Sequence, residues 1–137
     1  MGYMSTPSVP VSWGELLDKM TILEIKQQRI AAADARANVG KEYRLLSMIG
    51  SEALQVAAIA PLVERLKQVN EELWQIEDAI REEEASAQFG ATFIGLARAV
   101  YRMNDRRAAI KRQINELLGS ELIEEKSYAD HGRRAPD

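Results

Sequence analysis

Proline, the residue that ends helices, occurs only once between residues 11 and 135, at Pro61. Beyond it, Leu62, Leu66, Val69, Leu73, Ile76 and Ile80 are spaced 4-3-4-3-4, the seam of a helix that packs along its length. At about 1.5 Å per residue, a helix over 62–86 is nearly 40 Å long. Phe89, Phe93, Leu96, Val100, Met103, Arg107, Ile110, Ile114 and Leu117 repeat the alternation, with Arg107 as the single charged interruption. The chain has 19 alanines, the best helix former, and no convincing period-2 segment, so it reads as all-α.

The first helix has a clear start. Ser12-Trp13-Gly14-Glu15 forms a capping box with Ser12 as N-cap, and Val11 and Leu16 occupy the positions of a hydrophobic staple. Trp13, Leu16, Met20, Leu23 and Ile30 follow a 3-4 spacing interrupted by Gln27, while Ile22 and Ile25 form a second row. Apolar groups on two sides predict two neighbours, and the helix is expected to end before Gly40. Tyr43, Leu45, Leu46, Met48 and Ile49 also look helical, Gly50-Ser51 reads as an interruption, and Leu54–Ala60 resumes an alanine-rich stretch. Pro61 suits either the first turn of a helix or a kink in a longer one. Gly119 is a candidate C-cap, after which Ser120 would cap a short helix through about Lys126.

The expected fold is therefore an antiparallel bundle of three main helices with long heptad-like seams, plus a short C-terminal helix. Residues 1–11 read as a flexible N-terminal segment, 12–128 as a single helical domain and 129–137 as a disordered tail. Helices this elongated often complete their seams in a partner chain, so a homodimer is expected.

Composition removes several classes of function. With 137 residues, 46% of them hydrophobic, the chain is long enough for one domain and one core. A net charge of −3 and a pI near 5.3 argue against a dedicated nucleic-acid binder. The absence of cysteine excludes disulfides, thiolate metal sites and cysteine nucleophiles. The lone His131 excludes chemistry that needs a histidine pair within one chain, and no cofactor is expected. There is no bilayer-spanning apolar run and no signal peptide. Met1–Thr6 formally fits a myristoylation pattern but reads as an ordinary ragged terminus. A cytoplasmic location follows as the default.

Charge is unevenly placed. Residues 71–84 hold seven carboxylates against Arg81, a net of −6, and residues 98–112 hold six bases against Asp105, a net of +5. One reading is that two antiparallel helices exchange salt bridges along their flanks. The other makes the basic row a dock for an anion. Arg107 inside a seam requires a carboxylate or several carbonyls if buried, or else it snorkels to water. Asn70 and Gln27, polar at or beside seams, read as residues that fix register. Glu82–Glu84 is not a metal site, because successive helical side chains diverge by about 100°.

Four blocks in order, VSWGELLDKMTILEIK (11–26), VNEELWQIEDAIR (69–81), FIGLARAVYRMNDRRAAIKRQIN (93–115) and EEKSY (124–128), resemble a family of small bacterial and phage proteins known only as a domain of unknown function. The resemblance covers most of 11–128 and implies no catalytic residues. Its members look like accessory proteins. The polar letters of the blocks mark Lys19, Thr21, Glu24, Asn104, Asp105, Arg106 and Lys111 as groups that converge if the first and third blocks are neighbours. They would then form either a buried register-setting network or a small site. Lys19 with Arg102 and Arg106 would suit an anionic metabolite such as a phosphate, carboxylate or sugar nucleotide. The first reading of function is a non-enzymatic helical interaction or accessory protein, possessing a protein partner. The alternative is a small enzyme or binding protein for an anionic metabolite.

Overall fold

The computed structural model describes residues 4–127, and the expectations for 1–3 and 128–137, including His131 and Tyr128, lie outside that range. The first helix, α1, spans Trp13–Arg29. The Ser12 hydroxyl accepts the Glu15 amide at 3.1 Å, as the capping box predicts. The Glu15 carboxylate, however, turns away to Lys111.

The chain then extends over Ile30–Ala32 and enters α2, Ala33–Leu54. This corrects the expectation of three main helices: there are four among the described residues. Gly40 and Gly50 lie inside α2, both buried. Any Cβ at Gly50 would collide with the sulfur of Met20. Glycine there lets α2 approach α1 closely, which explains why it does not break the helix. Leu17 and Met20 face Gly50, Tyr43 reaches Glu24, and Gly40 adjoins Gln27, so α2 runs back along α1. The other side of α2 leaves Leu45, Met48 and Ile49 exposed.

The third helix, α3, spans Ala60–Ala85 with Pro61 in its first turn. Pro61 therefore starts a helix, where its missing donor is harmless, and does not kink one. The helix closes with bonds from Gln88 N–H to Glu83 O at 2.8 Å and from Ala87 N–H to Glu84 O at 3.0 Å. That pair is a Schellman motif, and it places Ala87 in the left-handed region at φ 53°. The fourth helix, α4, spans Ala91–Leu118 and ends at left-handed Gly119, φ 63°, as its sequence predicts.

The expected short final helix is absent, and residues 120–127 are not helical. The Ser120 hydroxyl is spent on the amide of Trp13 at 3.0 Å rather than on a helix of its own. The segment lies along α4 through Glu124 and Glu125.

The core joins Leu16, Leu17 and Met20 to Ile59, Leu62, Leu66, Val69 and Leu73, and to Met103, Ile110 and Ile114. Both predicted seams are real over this stretch. They fade toward the α3–α4 turn, where no residue from 74 to 102 is fully buried. Leu117 is exposed, and Leu118 takes its place against the core. No described helix is long and apolar enough to cross a membrane.

Candidate functional site

One row of α1, Gly14, Asp18, Thr21 and Ile25, is buried throughout. The sequence reading put the second row on Ile22 and Ile25, but Ile22 is only half-buried. The row faces α3 and α4, and its polar members build a closed network. Asp18 is 1% exposed. Arg107 of α4 donates to it from both Nε, at 3.0 and 3.1 Å, and Nη2. Asn70 of α3 donates from Nδ2 to Asp18 Oδ1 and to Thr21 Oγ1, each at 2.9 Å. The Thr21 hydroxyl in turn donates to the Asp18 carbonyl at 2.7 Å. Arg107 thus takes the carboxylate that a seam arginine requires, and Asn70 joins the cross-link at its seam.

Lys111 lies one turn further along α4, its side chain 10% exposed. Its Nζ donates to Glu15 Oε2 at 2.6 Å and to Glu124 Oε2 at 2.9 Å, with Asp18 Oδ2 at 4.0 Å. Two cations therefore face three carboxylates. The hydrogen bonds to Asp18 raise the pKa of Arg107 against the opposing effect of burial. Burial works against charge on Lys111, yet its bonds to Glu15 and Glu124 leave its pKa raised. Bonds from Lys126 and Lys111 hold the Glu124 carboxyl down to about 2.

At the same end, the first amides of α1 are capped by α4. Trp13 N–H donates to Ser120 Oγ, and Gly14 N–H donates to Asn115 Oδ1 at 2.7 Å. Ser120 also donates to Asn115 Oδ1 at 3.2 Å. A Cβ on Gly14 would lie 2.6 Å from the Lys111 carbonyl oxygen and 2.9 Å from Asn115 Oδ1, so only glycine admits this approach.

Of the residues singled out from the sequence, Arg107, Asn70, Lys111 and Thr21 enter the network, whereas Lys19, Glu24, Arg102, Asn104, Asp105 and Arg106 lie apart from it. Lys19 faces Glu42 of α2 at 3.6 Å. Glu24 accepts the Tyr43 hydroxyl at 2.9 Å and pairs with Lys67 at 3.2 Å. That contact and burial raise the pKa of Tyr43, and Glu24 raises that of Lys67. Arg102, Asp105 and Arg106 are exposed and Asn104 is half-buried, and Arg106 turns Nη1 toward the Met103 sulfur at 3.8 Å. The expected ion pairs between the α3 and α4 flanks are not found among the described residues. The basic residues of α4 that do pair, Arg107, Lys111 and Arg112, turn to α1, to the 120–127 segment or to their own helix. Asp18 and Asn115 were missed. The signal for Asp18 was its i+4 position from Gly14 on the row that ends at Ile25.

In this network Arg107 donates to Asp18, and Lys111 donates to Glu15 and Glu124. The network defines an all-helical protein whose α1 and α4 are cross-linked by a set of polar contacts centred on Asp18. The model of a family of unknown function, DUF6165, matches residues 8–134, and the chain belongs to that family. No curated protein and no solved structure matches it.

Proposed function

We propose that this protein is a non-enzymatic interaction or accessory protein of the bacterial cytoplasm that works through helix–helix packing, as a homodimer. The observation that carries this reading is the α3–α4 hairpin. Its seams keep apolar residues at helical spacing up to the turn, yet nothing between 74 and 102 is fully buried. Phe89 of the α4 seam is 53% exposed, and Ile94 and Tyr101 on another side of α4 are 55% and 69% exposed. A seam that is only half covered within one chain is a surface for another helix. The closed network around Asp18 supports the non-enzymatic part, because a general acid, base or nucleophile needs a group free to act on a substrate.

Native mass spectrometry of untagged protein from its own host tests this. A species at twice the 15.4 kDa chain mass, about 31 kDa, or a defined protein complex supports it. A monomer carrying a small anionic species, lost on Arg102→Ala or Lys19→Ala, overturns it in favour of an anionic-metabolite protein.

A further inference from the structure

Between the C-terminal half of α1 and the N-terminal half of α2 lies an open cleft of about 860 Å³, within the size range of small-molecule sites. Glu24, Gln27 and Gln28 line it from α1, and Arg36, Gly40 and Arg44 from α2. At about 100° per residue, the two arginines and the glycine between them fall within an arc of about 80° on one side of α2. A helical side chain leans toward the N-terminus of its helix, so Arg44 folds back over the bare backbone of Gly40. Its Nη1 lies 3.3 Å from the place a Cβ on Gly40 would take, and Gln27 Nε2 lies 3.4 Å from the same point. A guanidinium from α2 and a carboxamide from α1 thus bring donors to one spot above a buried glycine. The side chains of Gln27, Gln28, Arg36 and Arg44 make no hydrogen bond and no ion pair among the described residues.

The carboxylates nearby do not cancel this charge. Glu24 accepts from Tyr43 through Oε1 and faces Lys67 through Oε2, and Glu42 pairs with Lys19. Asp34 stands about 120° round α2 from Gly40. Over residues 24–44, Lys26, Arg29, Arg36, Lys41 and Arg44 therefore remain against the single unpaired carboxylate of Asp34, in a chain whose net charge is −3.

We propose that this cleft binds a small phosphorylated molecule, with one phosphate group seated over Gly40 on Arg44 and Gln27, and a second anionic group of the same molecule held by Arg36. The donor set favours phosphate at the seat. A guanidinium alone satisfies both oxygens of a carboxylate in one plane, whereas a tetrahedral phosphate keeps an oxygen for the amide that α1 brings from the side. Arg36 and Arg44 are eight residues apart, about 12 Å along the helix, which suits a ligand carrying an anionic group at each end. The site shares no residue with the α3–α4 hairpin, so it goes beyond the interaction-protein reading and is tested apart from it.

Isothermal titration calorimetry on the full-length chain at low ionic strength tests this, with inorganic phosphate and hexane-1,6-diyl bisphosphate as probes. Circular dichroism verifies that each variant stays helical. Wild type is expected to bind both probes, the bisphosphate at least about tenfold more tightly because its second group adds to the first. Arg44→Ala is expected to weaken both at least about tenfold through loss of a charge-assisted contact. Gln27→Glu sets a carboxylate where the amide was and is expected to abolish phosphate binding. Arg36→Ala is expected to bring the bisphosphate down to the affinity of phosphate and to leave phosphate itself unchanged. A wild type that binds neither probe overturns the site, and if that chain captures heparin through the same arginines, they serve a polyanion instead. Binding left unchanged by both Arg44→Ala and Gln27→Glu lies elsewhere on the molecule and also overturns it. An Arg36→Ala chain that still prefers the bisphosphate overturns the two-ended seat.

Discussion

Gly14 and Asn115 are 101 positions apart in sequence, and the amide of the first donates to the side-chain oxygen of the second at 2.7 Å. The contact exists because Gly14 has no side chain. A Cβ there would press on the backbone of Lys111, which cannot rotate away. Gly14→Ala is therefore expected to destabilise the fold by about 1–3 kcal/mol, the usual cost of overpacking. Gly50→Ala, aimed at Met20, should cost less, because a methionine side chain yields more readily than backbone. Urea unfolding of the two variants compares them directly, and equal stability would show that α1 and α4 can separate freely at this end.

Asp18 and Arg107 form the buried charge pair of the network. Either Asp18→Leu or Arg107→Leu alone leaves an ion without its partner and should destabilise by about 3–5 kcal/mol. The double variant should cost clearly less than the sum, because the second substitution removes the stranded charge. A thermal-unfolding cycle over the four proteins reads this coupling, and strict additivity would mean that the two side chains act independently.

Ala87 holds a left-handed backbone at φ 53° in the α3–α4 turn, a conformation that costs an L-residue about 1–2 kcal/mol. Ala87→Gly removes that strain. With the greater entropy of glycine in the unfolded chain set against it, a net gain of about 0.5–1 kcal/mol is expected from denaturant melts, without change in helix content.

The pH dependence has a defined sign at each end. Glu124, held down to about 2 from 4.5, contributes stability that is complete above pH 4.5 and is lost as pH falls toward about 2. The melting-temperature difference between wild type and Glu124→Gln should be present near neutral pH and shrink to nothing across that acid window. Lys67 and Lys111 are raised above 10.5, so their contribution is complete below pH 10.5 and is lost only above it.

Much of the fold was legible because it rests on local signals. The Ser12 cap, the Gly119 terminus and the seams around Leu66 and Ile110 are set by spacing and by neighbours a few residues away. Gly50 was misread because its reason lies in Met20, on another helix: a glycine that breaks a helix and one that admits a neighbour look alike in sequence. Ser120 was misread for the same reason, since a hydroxyl suited to cap its own helix caps a distant one instead. The candidate site was half legible. Arg107 in a seam called for a carboxylate or several carbonyls if buried, or else a route to water, and only the packing of α1 selects Asp18 among these. The charge stripes on α3 and α4 were visible, whereas their failure to pair with each other depends on geometry that composition does not carry.

The hydrogen bonds from Trp13 and Gly14 to Ser120 and Asn115 also set an order of events during synthesis. The opening turn of the first helix waits for the closing turn of the last, so a nascent chain holding only its first hundred or so residues must leave Asp18 facing an absent arginine. Completion of the fold is thus coupled to completion of the fourth helix, and ribosome-stalled chains ending before residue 107 should be cleaved by protease far faster than chains in which residue 120 has emerged.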